Sequence, residues 1–226
     1  MSFFDTLVEQ TAAARTELVA APIIQGCLRG QVSLASYLAF LREAFHHVRH
    51  TVPLFERLRA VLPARHAWLR PALDEYIDEE IGHDEWILGD IAACGGDADA
   101  VRAGTPGIAT EVMVAYAYDV VTRCNPLGFF GMVHVLEGTS AALALQAADQ
   151  IRSRLGLPDA AFRYLNSHGS LDQQHTANFA RLMNRIQDPQ DQAAIVHAAT
   201  VFYRLYGDVF RSLPLPPAGA SQGAAR

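Results

Sequence analysis

Apolar residues recur along this chain at intervals of three and four, the period of an α-helix, and almost nowhere in strict alternation. The pattern predicts a first helix over residues 3–21 that stops at Pro22. A second begins near Leu34 behind Ser33, whose hydroxyl can accept from a first-turn N–H. Tyr37, Leu38, Leu41, Phe45 and Val48 form its apolar stripe, and Pro53 should kink or end it, with helical chain continuing to about residue 62. A long third helix is expected over about 65–94, closed by Gly95-Gly96. After a small, polar loop, a fourth helix covers about 110–123. Asn125-Pro126 reads as a cap followed by proline at the first helical position, opening a fifth helix that ends at Gly156. Pro158 opens a sixth, to about 186, and Asp188-Pro189 a seventh, to about 210. Neither Asn-Gly nor Asp-Gly hairpin turns occur. The expectation is an all-α, single-domain bundle of about seven helices over residues 1–213, followed by a Pro/Ala/Gly-rich tail, 214–226, with the composition of a disordered segment.

Composition narrows the function. The chain has 226 residues, half of them hydrophobic and 19% charged, enough for a full core and too apolar for general disorder. A net charge of −6 argues against broad nucleic-acid binding. No apolar run reaches the ~18–20 residues that span a bilayer. Met1-Ser2-Phe3-Phe4-Asp5 lacks the basic-then-apolar order of a signal peptide. A cytoplasmic protein bound to neither nucleic acid nor membrane is expected, with a homodimer left open. All 18 basic residues are Arg, which excludes Schiff-base lysines, lysine-anchored pyridoxal phosphate and Walker-type loops. Cys27, Cys94 and Cys124 form no C-x-x-C pair and read as buried, reduced thiols.

Candidate chemistry sits on three predicted helices. Between residues 71 and 101 there are ten acids and no base. A solvated face explains most of them, but Glu80 and His83 fall on the stripe of Leu73, Ile77, Ile87 and Ile91. Their i, i+3 spacing is that of helical di-iron carboxylate sites, and equally that of a surface ion pair; Glu79, at i, i+4 to His83, is the alternative to Glu80. The sixth helix carries His168, Asp172 and His175 as H-x3-D-x2-H, three ligand types on one face beside Leu171, Phe179 and Leu182. The fifth helix is apolar nearly all round, and Glu137 is its one acid between Asp119 and Asp149; a buried Glu needs a partner, and a cation suits. Glu80, His83, Glu137, His168, Asp172 and His175 make a mixed N/O donor set suited to two Fe²⁺ ions, or manganese, with positions left open for O₂ and substrate. Tyr76 and His134, each one turn before a candidate ligand, are the catalytic candidates beside the metals. A rival cluster, Glu43, His47 and His50 beside His46, is flanked by Arg42 and Arg49 and reads as pocket wall or surface.

A Glu-x-x-His helix, a lone Glu about fifty residues on and H-x3-D-x2-H about thirty after that resemble the haem-oxygenase-like di-iron oxidases and oxygenases, within the TenA/PqqC-like superfamily. The resemblance covers roughly residues 32–210. It implies a haem-oxygenase-like fold, two ferrous ions, O₂ as co-substrate, and desaturation, decarboxylation, hydroxylation or N-oxygenation. Ligand spacing is most similar to the fatty-acid decarboxylase that forms terminal alkenes. The para-aminobenzoate-forming type needs a Lys, which is absent here. Haem oxygenases share a stretch like Glu137-Gly138-Thr139-Ser140 but use a proximal His on the first helix; no His precedes His46, so haem is not expected. TenA thiaminases pair a Cys with a late carboxylate; Cys124 is the candidate thiol, and no acid follows Asp208. Phe129, Phe130, Met132, Val133 and Leu136, with Val112, Met113, Tyr116 and Val120, offer apolar walls for a carboxylic acid with an apolar body. An amino acid or amine is the rival substrate, anchored by Arg123, Asp119 or the His46–His50 group.

Overall fold

The structure is a computed structural model; it describes residues 1–216, apart from the side chains of residues 168–175. Among the described residues there are eleven α-helices and no strand: α1 (Phe3–Val19), α2 (Pro22–Leu28), α3 (Leu34–Val48), α4 (Thr51–Val61), α5 (Arg70–Glu80), α6 (His83–Ala93), α7 (Ala98–Ala103), α8 (Ile108–Arg123), α9 (Phe129–Leu155), α10 (Arg163–Met183) and α11 (Pro189–Ser212). Short 3₁₀ segments precede α5, α9 and α10. The expected seven become eleven because two helices break and two short ones form, α2 after Pro22 and α7 behind its cap Asp97. Pro22 ends α1 as expected and then serves as the first residue of α2, where its missing N–H costs nothing. The first break falls at Arg49–His50, not at Pro53, which sits in the tolerant first turn of α4. The second falls at Ile81–Gly82, where Gly82 takes φ +87, a left-handed backbone open to glycine at little cost.

Cap chemistry fixes the other boundaries. Ser33 accepts from Ser36 N, Asn125 from Leu127 N and Asp188 from Gln190 N, and Gly156 closes α9 at φ +64. The tail predicted over 214–226 lies outside the described residues from Pro217 onward.

α9 is the axis of the bundle, flanked by α2, α8, α10 and α11. Gly131 permits the closest of these approaches: a Cβ there would stand 2.5 Å from Ala199 N and 2.8 Å from Ile195 O on α11. By length and composition alone, residues 126–155 could cross a membrane, contrary to the expectation that no segment reaches that span. Burial against its neighbours accounts for that apolarity. One core centres on Phe129, Phe130, Phe202 and Tyr203; a second joins Tyr37 and Phe45 of α3, Ile87 of α6 and Phe162 before α10. Fully buried Asp191 ties α11 to the 3₁₀ turns before α5 and α9 through His66 Nε2 (2.7 Å), Arg65 (2.9 Å) and Asn125 Nδ2 (2.7 Å). The cysteines are free, but only Cys94 is buried; Cys27 is half-buried and Cys124 exposed, correcting the expectation of three buried thiols.

Candidate metal centre

The break at residues 81–82 shapes the first pair of candidate ligands. Glu80 is the last residue of α5 and His83 the first of α6, so they face each other across a bend instead of sharing the single long helix predicted over 65–94. His83 Nδ1 lies 3.0 Å from Glu80 Oε2, with the side chains only 5% and 13% exposed. This is no solvated surface pair. The His83 ring also packs on Trp86, centroids 4.2 Å apart. Glu79 is exposed, whereas Glu80 turns inward.

Glu80 and Glu137 line one small chamber of about 60 Å³, together with His47, Thr51, Tyr164 and Tyr206 and an apolar wall that includes Phe55, Phe129 and Leu136. Among the described residues no arginine lines it. Two carboxylates and a histidine facing one space are donors of the kind a cation takes. The chamber leaves its mark on Tyr76, which is buried and stacked on Phe55 at 4.9 Å. Burial, then the charges of Glu137, Glu79 and Glu80, pushes its hydroxyl well above the ordinary tyrosine range.

Among the described residues, no three His, Cys, Asp or Glu side chains converge closely enough to hold a metal by themselves. The remaining predicted ligands, His168, Asp172 and His175, have side chains outside the described residues. Their helix is continuous from Arg163 to Met183 and packs on α9 and α6. On it, Tyr164 lines the chamber, and Thr176 and Phe179 line a second cavity that also reaches Glu137. Asp90, a buried α6 residue that sequence reasoning passed over as one of many acids, anchors the start of α10. Its carboxylate accepts from Arg163 N (3.0 Å) and Tyr164 N (2.9 Å). Burial raises its pKa to about 6 against the lowering effect of those two bonds.

His134 does not line the chamber. It turns toward α1 and α11, with Nε2 3.4 Å from Thr11 Oγ1 and 3.5 Å from Tyr203 OH and its ring stacked on Phe179. Burial, then the nearby Arg15 charge, lowers its pKa to about 4, so the imidazole is neutral at pH 7. It borders the second cavity, about 290 Å³, with Thr11, Arg15, Thr176, Tyr203 and Glu137.

The Glu43, His47, His50 cluster comes apart. Glu43 is buried and accepts from Gly107 N (2.9 Å), Thr110 Oγ1 (2.6 Å) and Arg42 (3.0 Å), pinning the start of α8. Burial would raise its pKa; those three partners outweigh it and hold it low. His50 Nδ1 lies 3.1 Å from Tyr118 OH. Only His47 reaches the chamber wall, edge-on to Tyr206.

The predicted substrate walls need correcting. Phe129, Met132, Val133 and Leu136 do line the chamber. Phe130, Met113 and Val120 are buried in the core, and Val112 is 47% exposed. The reason is that α8 packs on α4 and α11, away from the chamber. The apolar space lies on the other flank of α9: a cavity of about 110 Å³ walled by α2, α3, α9 and α11. Ser140, Tyr164 and Tyr206 line both it and the chamber, so the two adjoin. Of the anchors named for an amine, Arg123 and Asp119 instead pair with each other at 3.1 Å, with Arg123 80% exposed.

The helical bundle has a haem-oxygenase-like fold. The sequence model of the iron-containing redox enzyme family matches residues 38–207, and the chain belongs to that family. Among solved structures, it is similar to a domain of unknown function with a haem oxygenase-like fold from Shewanella denitrificans (TM-score 0.81, 20% identity, 93% of this chain and 90% of that one). It is also similar to a TenA homologue from Pseudomonas syringae (0.78, 12%, 93% and 91%). A third likeness is to haem oxygenase-1 of the cyanobacterium Synechocystis, solved in complex with haem (0.73, 14%, 93% and 91%). At these identities the likeness is one of fold. No match was found among curated proteins.

Proposed function

We propose that this protein is an O₂-dependent, non-haem di-iron oxidoreductase acting on a small organic acid with an apolar body, by desaturation, decarboxylation or hydroxylation. The observation that carries the reading is the pairing of two unlike spaces: a buried chamber presenting Glu80 and Glu137, adjoined by a cavity with an almost wholly apolar wall. The residues that would hold the metals are Glu80, His83, Glu137, His168, Asp172 and His175, a donor set of the kind that iron takes. Bound there, ferrous iron would supply the electrons and the open coordination positions at which O₂ reacts.

The rest of the work falls to the chain. Phe55, Phe129, Met132, Val133 and Leu136 keep the chamber dry, which strengthens every charge interaction within it. The bend at Gly82 presents Glu80 and His83 side by side. Asp90 fixes the start of α10, and with it the register of positions 168, 172 and 175, which by helical period share a stripe with Tyr164 and Phe179. Neutral His134, with Nε2 in reach of the Thr11 and Tyr203 hydroxyls, borders the second cavity on the far side of Glu137. Because α1 contains no histidine, a haem would find no proximal ligand of the usual kind there.

The test is O₂ uptake by iron-reconstituted protein across straight-chain fatty acids and amino acids. Uptake triggered by fatty acids is expected. A response to amino acids alone would overturn the substrate class, and no uptake with any acid or amine would overturn the oxidase reading.

A further inference from the structure

The chain has seven tyrosines, and their hydroxyls differ in what they touch. Tyr37 donates to Ala161 O (2.7 Å), Tyr118 OH lies 3.1 Å from His50 Nδ1, and Tyr203 OH lies 3.5 Å from His134 Nε2. Tyr206 of α11 is only 8% exposed, yet among the described residues no group donates to its hydroxyl or accepts from it. Its ring meets other rings instead, Phe210 at 4.8 Å and His47 at 5.9 Å, both edge-on. An unpaired buried hydroxyl is costly, and folded proteins rarely keep one unless a ligand or water supplies the missing bond. Tyr76 is also buried without such a bond, but it lines neither the chamber nor the apolar cavity.

Tyr206 lines both, at their junction. It shares the chamber with Glu80, Glu137 and His47, while the neighbouring Ser140 hydroxyl already donates to Leu136 O at 3.0 Å. Burial pushes the Tyr206 pKa up, so the phenol keeps its proton at neutral pH and acts as a donor. The donor set proposed above carries fewer negative charges than two divalent ions carry positive ones, so a filled chamber favours an added anion. A hydrogen bond from a neutral phenol to an anion is roughly twice as strong as one to a neutral acceptor.

We propose that the Tyr206 hydroxyl donates a hydrogen bond to a small anion bound in the chamber, and so favours anions that present an acceptor atom toward α11. The assignment rests on the metal-bearing chamber proposed above. It adds to that chamber a binding residue from a helix that carries none of the candidate ligands.

The experiment titrates the iron-loaded full chain, in its ferric state, with sodium azide, a small linear anion. Wild type, Tyr206→Phe and Tyr37→Phe are compared for iron content, azide affinity and the infrared stretch of bound azide in H₂O and in D₂O. Tyr206→Phe should keep its iron and bind azide roughly tenfold or more weakly. The stretch should shift between the two solvents in the wild type and not in Tyr206→Phe, a signature that a purely structural hydroxyl would not give. Metal-free Tyr206→Phe should melt no lower than the wild type, because its hydroxyl has no protein bond to lose. Tyr37→Phe should melt lower, because it strands Ala161 O, and should bind azide as the wild type does. Unchanged azide affinity in iron-bearing Tyr206→Phe, no azide binding by iron-bearing wild type, or a melting loss in Tyr206→Phe as large as that of Tyr37→Phe overturns the assignment alone. Loss of iron from Tyr206→Phe also overturns it, since the hydroxyl would then serve the metal and not the anion. A wild type that takes up no iron overturns the di-iron reading and this assignment together, so the two failures are told apart by the iron content.

Discussion

Replacing Asp90 by Asn tests which of two opposing forces governs the junction between α6 and α10. Two backbone N–H donors at a helix start favour the carboxylate, while burial with 1% residual exposure favours the neutral acid. The structure puts burial ahead, with the pKa raised from 3.8 to about 6. The sign follows from linkage. A folded-state pKa above the unfolded one means that the folded protein holds the proton more tightly. The associated stability is complete below about pH 4 and is lost as the pH rises through about 6. A shift of that size corresponds to about 3 kcal/mol between the ends of the window. Asparagine keeps one of the two acceptor oxygens and never ionises, so Asp90→Asn loses one of the two bonds at every pH and should remove this dependence. Urea unfolding of both proteins from pH 4 to pH 8 measures it. The wild type should lose up to about 3 kcal/mol relative to the variant as the pH rises. A wild type that instead gains stability over the variant would show that the helix start outweighs burial and would refute the reasoning.

Gly131→Ala drives a methyl group into the α11 backbone at Ala199 and Ile195, which cannot yield as a side chain would, and should cost about 1–3 kcal/mol, read as a lower melting temperature. Glu43→Ala leaves Gly107 N and Thr110 Oγ1 without their buried acceptor and should cost about 1–3 kcal/mol in denaturant titration, with metal content unchanged in the protein that remains folded. Gly82→Ala forces a side chain into φ +87, should cost about 1–2 kcal/mol, and should weaken iron uptake because the bend presents Glu80 to His83.

The helical class, the caps at Ser33, Asn125 and Asp188 and the stop at Gly156 were legible because each rests on local chemistry within three or four residues. The break at Ile81–Gly82 was not. An isolated glycine within a helical period reads as a small cost to the helix, and only tertiary packing decides that the chain bends there. Glu80 and Glu137 stood out because acids on apolar stripes are costly, and both reach the same chamber. His47 was hidden among arginines whose partners, such as Glu43 for Arg42, lie on another side of α3. Asp90 looked like one acid in a run of ten, since its partners are backbone groups more than seventy residues away. Part of the substrate wall is expected on α8, and the structure buries that face elsewhere, because sequence shows that a helix is apolar without showing which neighbour covers it.

The most direct test of the central claim is the iron content of the purified chain after anaerobic loading with Fe²⁺ and removal of unbound metal. Near two irons per chain are expected in the wild type, with marked loss in Glu137→Ala, His168→Ala and His175→Ala and retention in Glu43→Ala. Less than half an iron per chain, unaffected by those three substitutions, would contradict a metal centre built from these residues.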